Sequence, residues 1–247
     1  MRILILSDLH SNHQALQAVL NRVRRKRIDR VVCLGDFVGY GAQPNQVLDK
    51  MRALRKPKLF VRGNHDRVAV GTDNGEGFNF AARSAALWTR EHLSKPNRRF
   101  LETLPVGPLS LGDGVAVCHG SPFDEDEYLF SEYTAYRVFH HFTAKIVFFG
   151  HTHLPVVFGL ESDFEISAQL ARDSMTIQLD PSKRYLVNPG SVGQPRDRNP
   201  AASFVIFDTE RLAIQYHRVE YDVERAGDAI LRAGLPRILA DRLVVGT

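Results

Sequence analysis

The chain has 247 residues, of which 44% are hydrophobic and 24% are charged. This composition is ordinary for a soluble globular protein and excludes collagen, coiled-coil and disordered chains. A chain of this length is expected to fold as one compact domain that buries roughly 70% of its extended surface, so it needs no disulfide bonds. Its net charge of +4, with ten histidines counted as neutral, is only mildly basic and does not indicate a nucleic-acid partner.

Apolar runs and cysteines together predict a cytoplasmic protein without membrane contact. No apolar run approaches the ~18–20 residues that span a bilayer. The run after Arg2 stops at Ser7 and Asp8, too early for a signal peptide. Cys33 and Cys118 both lie in apolar segments, which is typical of buried thiols in a reducing compartment.

The first third of the chain alternates short apolar strands with amphipathic helices. This pattern predicts a parallel sheet covered by helices, and therefore the α/β class. The predicted elements in chain order are a strand at residues 3–6, a helix at 11–26, a strand at 31–34, a helix at 44–54 and a strand at 58–61.

Residues 67–105 interrupt this alternation and predict a helical insertion, with one helix at about 79–93 and a second, short one after it. The rest of the chain is mostly strands and predicts a second, more antiparallel sheet. The predicted strands are at residues 106–111, 115–118, 146–149, 156–159, 164–167, 175–179, 185–187, 203–208 and 212–219, with helices at 131–142 and, interrupted near its middle, at 223–243.

Five short segments place metal-ligating side chains directly after predicted strands. Because strand ends in an open α/β sheet meet at one edge, we expect these side chains to converge. Within two of the segments the donors are two residues apart, and in an extended chain such residues point the same way. The segments are Asp8-Leu9-His10, Gly35-Asp36, Gly63-Asn64-His65-Asp66, His119-Gly120 and Gly150-His151-Thr152-His153.

Seven of these side chains are metal donors, which is too many for one tetrahedral zinc ion. Seven donors suit two ions that share one carboxylate and leave positions for water and substrate. Mixed imidazole and carboxylate ligands favour Mn, Fe, Zn, Co or Ni over Ca or Mg, and we place Mn first. With two divalent ions, two carboxylates and one hydroxide, the net charge is about +1, which attracts phosphate. The donors are Asp8, His10, Asp36, Asn64, His119, His151 and His153.

Taken together, the five segments resemble the signature blocks of the calcineurin-like metallophosphoesterases, over about residues 1–220. The resemblance implies a single domain, 1–247, built as a four-layer α/β/β/α sandwich of two mixed sheets with a dinuclear metal site at one edge. It implies that His65 is the catalytic histidine and that Asp66 is the carboxylate beside it. It assigns Asp8, His10, Asp36 and His153 to the first metal, and Asp36, Asn64, His119 and His151 to the second.

One feature separates this chain from the serine/threonine protein phosphatases, and two others leave alternatives open. Those enzymes carry an arginine shortly after Gly-Asp that holds phosphate, whereas none follows Gly35-Asp36 here. Arg67, Arg196 and Arg198 are either its substitutes or ordinary surface arginines. Residues 188–195 resemble a C-terminal block of the small bacterial branch, and this loop either presents amides to an anion or is a plain turn.

The predicted activity is a phosphohydrolase in which a metal-bound hydroxide attacks a phosphodiester or nucleotide in line. His65 would stabilise the transition state or protonate the leaving oxygen, and Asp66 would orient the imidazole and favour its charged form. Residues 67–104 would form a wall over the metal edge, where Phe78, Phe80 and Trp88 either stack on a nucleobase or only pack the added helices. The alternatives are a phosphomonoesterase, a protein phosphatase, a nuclease, or a non-catalytic scaffold of the same fold such as the retromer scaffold subunit.

Overall fold

The computed structural model describes residues 1–163, 165–171 and 173–247, and in these ranges the chain forms twelve strands and eight helices. None of these helices combines the length and the apolar character needed to cross a membrane. The strands are β1 (Arg2–Leu6), β2 (Arg30–Cys33), β3 (Lys58–Phe60), β4 (Leu109–Gly112), β5 (Val115–Val117), β6 (Ile146–Phe148), β7 (Pro155–Ser162), β8 (Glu165–Leu170), β9 (Thr176–Gln178), β10 (Arg184–Pro189), β11 (Ala202–Asp208) and β12 (Ala213–Val219). The helices are α1 (His13–Val23), α2 (Pro44–Arg52), α3 (Asn64–Val70), α4 (Phe80–His92), α5 (Lys95–Glu102), α6 (Glu132–His141), α7 (Val223–Arg232) and α8 (Ile238–Val245).

The strands form two mixed sheets of six strands each. The first sheet has the order β3-β2-β1-β11-β12-β9 and the second has the order β4-β5-β6-β10-β7-β8. Strands β1, β2 and β3 are parallel to one another, as are β5, β6 and β10. Their carboxyl ends are level, since Leu6 lies opposite Cys33 and Val117 lies opposite Phe148. The residues that follow these strands therefore emerge at one edge of the sandwich.

Successive side chains of β1 point alternately to the two faces of its sheet, and each face packs against a different layer. Ile3 and Ile5 point into the core between the two sheets, where they join Phe148 and Phe207, whereas Leu4 and Leu6 point to the helices on the other face. Each large apolar side chain buried in this way contributes about 1.5–3 kcal/mol to stability. A third core packs α6 on the outer face of the second sheet. The predicted four-layer α/β/β/α sandwich is confirmed.

Helix α3 is the main element that the sequence did not predict. Residues 64–66 were predicted only to follow a strand, and they form the first turn of this seven-residue helix. The helix is too short to show an apolar stripe, and Gly71 ends it in the left-handed conformation. The predicted strand at 164–167 begins at Phe164, which lies outside the described residues, and β8 is described from Glu165.

The two helices α4 and α5 of segment 67–105 pack against different parts of the protein. Helix α5 buries Leu101 in the core beneath α1 and α2. Helix α4 instead packs with α7 and α8 in a separate cluster that includes Ala85, Leu239 and Tyr40. Trp88 is partly buried at the side of this cluster and stacks on His92, with ring centroids 4.0 Å apart. Of the two interpretations given for Trp88, this geometry favours packing.

Candidate metal centre

All seven predicted donors meet at the edge where the parallel strands end. None of their side chains belongs to a residue more than 5% exposed. The potential ligand atoms form overlapping groups in which every atom lies within 4.8 Å of the others. These groups are Asp8 with His10 and His153, Asp36 with His119 and His151, and His10 with Asp36 and His65.

The backbone brings these side chains together by left-handed turns, and the predicted extended geometry was wrong. A positive φ brings Cβ close to the following carbonyl oxygen, so such residues cost of order 1–3 kcal/mol each and persist only where the surroundings hold them. Here the hydrogen bonds from Asp8 N to Gly35 O (3.1 Å) and from His10 N to Asp36 O (3.0 Å) tie two of the turns together. The donors in this conformation are Asp8 (φ 53°), His10 (44°), Asp36 (52°), His151 (64°) and His153 (59°).

Four of the histidines share one arrangement, in which a backbone carbonyl oxygen contacts one ring nitrogen. A carbonyl oxygen only accepts hydrogen bonds, so the nitrogen beside it carries the proton and the other nitrogen presents a lone pair to the centre. This is how metal-ligating histidines are usually oriented. The contacts are His10 Nδ1 to Val38 O (3.1 Å), His119 Nδ1 to Leu34 O (2.8 Å), His153 Nδ1 to Gln194 O (2.6 Å) and His151 Nε2 to Asp126 O (3.2 Å).

The lone pairs face other acceptors rather than donors. His10 Nε2 lies 3.1 Å from His153 Nε2, and His153 Nε2 lies 3.4 Å from Asp8 Oδ1. Both Asp8 Oδ2 and Asp36 Oδ2 are buried without a hydrogen-bond partner among the described residues. Buried acceptors that lack a donor are costly. A cation satisfies all of them at once, so the donor set fits a metal.

Asp36 lies between the two sets of histidines. Its Oδ2 is 3.4 Å from His119 Nε2 and 3.6 Å from His10 Nε2, while Asn64 Oδ1 is 3.2 Å from His119 Nε2. Burial lowers the pKa of His119, but the Asp36 carboxylate, together with Asp8 and the Leu34 carbonyl oxygen, raises it to about 10. Asp36 therefore interacts with histidines of both sets.

His65 differs from the other four histidines of the centre. Its Nδ1 has no hydrogen-bond partner in the described part of the chain, and its backbone N–H donates to Asp36 Oδ1 (2.9 Å). Its ring packs between Tyr40 and Phe78, each with a centroid 4.5 Å away. Burial lowers the pKa of His65 to about 4, so the imidazole is neutral near pH 7.

Asp66 does not orient the His65 ring, and that prediction was wrong. Its Oδ2 accepts from Gly63 N (3.0 Å) and its Oδ1 accepts from Val38 N (3.2 Å). The cause is helix α3, because consecutive residues of a helix point in different directions. Asp66 instead caps the first turn of α3 and ties it to the loop after β2.

The loop at 188–195 braces the Asp8 turn. Val192 N donates to Ser7 O (3.0 Å) and Gly193 N donates to Asp8 O (2.9 Å), so these amides are not presented to an anion. A Cβ at Gly193 would stand 2.0 Å from Leu9 O, which requires glycine there. Of the two alternatives given for this loop, a plain turn is the correct one for these two amides.

A stack of aromatic rings on the His151 side escaped the sequence analysis. Tyr128 stacks on His151, with centroids 3.9 Å apart, and Phe130 stacks on Tyr128 at 4.9 Å. Tyr128 is 40% exposed and Phe130 is 57% exposed. The sequence signal that could have indicated this stack is the pair of aromatic residues two positions apart, soon after the His119-Gly120 segment. Phe80, which the sequence analysis did single out, is 82% exposed and has no ring contact among the described residues.

Comparisons with known proteins cover almost the whole chain. The sequence profile of the calcineurin-like phosphoesterase superfamily domain matches residues 1–212. The chain is 40% identical over 248 residues to the uncharacterized protein MJ0912 of Methanocaldococcus jannaschii, covering 99% of this chain and 98% of that protein. It is similar to the crystal structure of a metallophosphoesterase from Sphaerobacter thermophilus, with 36% identity, a TM-score of 0.89 and coverage of 100% of this chain and 99% of that one. The hypothetical protein PH1004 from Pyrococcus horikoshii OT3 shares the fold, with 20% identity, a TM-score of 0.81 and coverage of 100% of this chain and 98% of that one.

Proposed function

The chain belongs to the calcineurin-like phosphoesterase superfamily, a metal-dependent family that hydrolyses phosphoric esters, and we propose that its own reaction is hydrolysis of a phosphodiester or nucleotide at two metal ions. The enzyme class follows from the family. The substrate and the number of ions are inferred from the site. The mix of imidazole and carboxylate donors favours Mn, Fe, Zn, Co or Ni, and among these we place Mn first.

The observation that carries this proposal is the pair of facing, unprotonated nitrogens of His10 and His153, 3.1 Å apart. Together with the unsatisfied oxygens of Asp8 and Asp36, they form a buried acceptor cluster that calls for cations. The overlap of the candidate ligand groups at the Asp36 carboxylate supports two ions with Asp36 shared. The proposed ligands are Asp8, His10, Asp36 and His153 for one ion, and Asp36, Asn64, His119 and His151 for the other.

When bound, such ions lower the pKa of a water molecule and neutralise phosphate oxygens. The chain's own contribution next to them is His65. Because its imidazole is buried and neutral, it acts as an N–H donor to the reacting phosphate rather than as a cationic acid. Of the two roles expected for His65, we therefore propose stabilisation of the transition state.

Charge supports a diester over a monoester. A phosphodiester carries one negative charge, whereas a monoester carries up to two at neutral pH. The loop after β2 supplies no cation between Asp36 and Gly41, so this loop provides no counter-charge for a dianion. A diester is therefore the better match.

The exposed stack of Tyr128 and Phe130 supports a substrate with a planar ring, such as a nucleotide. Base–aromatic stacking typically contributes about 1–3 kcal/mol, and this stack begins on the ring of a candidate ligand, His151.

Cys33 and Cys118 are free and buried, and burial raises the pKa of both thiols. Unreactive thiols support a reducing, cytoplasmic location.

The test is a substrate panel on protein reconstituted with Mn, Zn, Fe, Co or Ni. The panel contains bis(p-nitrophenyl) phosphate, p-nitrophenyl phosphate, cyclic nucleotides and dinucleoside polyphosphates. We expect higher kcat/KM for diesters than for the monoester, and loss of turnover with chelator. Faster hydrolysis of the monoester would overturn the diester assignment, and no turnover with any metal would favour a non-catalytic scaffold.

A further inference from the structure

Arg196 lies beside the candidate centre, where it is hydrogen-bonded to Tyr40. Its Nη2 donates to Tyr40 Oη (3.0 Å) and more weakly to Gln194 Oε1 (3.4 Å), and its Cζ is 5.8 Å from the Tyr40 ring centroid. The Tyr40 ring in turn contacts the rings of His10 and His65, each with a centroid 4.5 Å away. A guanidinium from the loop after β10 thus reaches the same ring that covers the catalytic candidate.

The charge of Arg196 has no carboxylate partner among the described residues. Its two hydrogen bonds go to neutral oxygens, and the guanidinium has five N–H donors in total. Arg67 is different, because it forms ion pairs with Glu125, Asp126 and Asp73. A partly buried arginine without an acidic partner, next to a cluster of acceptors, is available to an anion.

Arg196 is also close to the centre along the chain, because the carbonyl oxygen of Gln194, two residues before it, contacts His153 Nδ1 at 2.6 Å. Burial and then the Arg196 charge lower the pKa of His153, and Arg196 also contributes, after burial, to the lowered pKa of His65. The position differs from that of Arg198, which lies on the same loop but is exposed.

We propose that Arg196 binds a non-bridging oxygen of the substrate phosphate, and that Tyr40 is the residue that positions its guanidinium. This inference rests on the proposed function and names the phosphate contact of that site. Arg196 approaches the phosphate from the loop after β10, and the loop after β2 contributes no second cation between Asp36 and Gly41. The planar fork of guanidinium donors matches the geometry of phosphate oxygens.

The first test is binding of inorganic phosphate to the metal-loaded protein, measured by calorimetry. Arg196→Gln is expected to weaken phosphate binding about 10- to 100-fold, as for loss of a hydrogen bond to a charged group. Arg196→Lys should recover part of the affinity, because it restores the charge without the fork of donors. Arg198→Gln is the matched control and should bind like the wild type. Unchanged affinity in Arg196→Gln, or an equal loss in Arg198→Gln, would overturn the proposal.

The second test separates binding from positioning. With bis(p-nitrophenyl) phosphate, Arg196→Gln should raise KM more than it lowers kcat, at wild-type metal content and melting temperature. Tyr40→Phe should raise KM by a smaller factor, and an unchanged KM would refute its positioning role. If the wild-type protein hydrolyses no diester, the proposed function fails, whereas the phosphate titration still decides the role of Arg196.

Discussion

Nε2 of His10 and Nε2 of His153 face each other at 3.1 Å, although the other nitrogen of each ring already donates to a carbonyl oxygen. Neither facing nitrogen therefore carries a proton, and two lone pairs oppose each other in a buried site. Burial is also the main reason that the pKa of both rings is well below the usual value. The pair is an arrangement that a bound cation stabilises, and the predictions on metal content start from it.

Asp36→Asn is expected to lose metal from both proposed sites, because its carboxylate lies between the two sets of histidines. Asp8→Asn should lose metal from the first site only, since Asp8 groups with His10 and His153. Elemental analysis after dialysis measures both. Full metal content in the Asp36 variant would contradict the shared role of this residue.

His65→Ala is expected to keep its metal ions and lose turnover by about 10²- to 10³-fold, the usual effect of removing one transition-state donor. Because the imidazole is neutral and acts as a donor, the loss should be similar for good and poor leaving groups. Rates on a series of aryl phosphodiesters give the comparison. A loss that shrinks as the leaving group improves would show instead that His65 protonates the leaving oxygen.

Asp66→Asn is expected to lower the free energy of unfolding by about 1–3 kcal/mol, since an amide cannot accept both N–H groups that face the carboxylate. Denaturant titration of the metal-loaded protein measures this loss. Asp241→Asn is the control, because Asp241 is exposed on α8 and its ion pair is with Arg237 of the same helix end. Wild-type stability in the Asp66 variant would refute the capping role.

Phe130→Ala is expected to raise KM for a nucleotide substrate about 5- to 100-fold, the range of base stacking, and to leave KM for an alkyl phosphodiester unchanged. Phe130 extends the stack but does not contact His151 directly, so the metal site should survive. Tyr133→Ala, at an aromatic residue of α6 that is 73% exposed, serves as the control. An equal rise in KM for both substrates would mean that the stack does not recognise a ring.

His217 is expected to contribute to stability in a pH-dependent way that is independent of the metal centre. It stacks on Phe204 of the neighbouring strand, with centroids 5.0 Å apart, and burial together with three nearby cations lowers its pKa from 6.5 to about 4. The unfolded chain takes up this proton first, so the contribution is present above pH 6.5 and is lost as the pH falls towards 4.

Melting temperatures between pH 7 and pH 4 test this sign. The decrease on acidification should be smaller in His217→Phe than in the wild type, because the variant has no proton to take up at this position. A parallel decrease in the two proteins would show that His217 titrates alike in the folded and unfolded chains.

The sequence pattern by itself determined the α/β class and the set of residues at the sheet edge, whereas the four-layer sandwich was implied by the family resemblance. Apolar strands that alternate with helices must be buried on both faces, and the level carboxyl ends of parallel strands then bring Asp8, Asp36, His119 and His151 to one place. Both results follow from local periodicity and strand direction, which can be recognised in the sequence itself.

Only the tertiary structure decided how the side chains are used. The left-handed turns at Asp8 and His153, the capping role of Asp66 and the proton positions on the histidine rings all depend on carbonyl and amide partners from other segments. Arg196 and Tyr40 meet across 156 positions of sequence, and no local pattern records such a contact. The packing of distant segments sets which donor faces which acceptor. The preceding strands, in contrast, set which residues reach the edge.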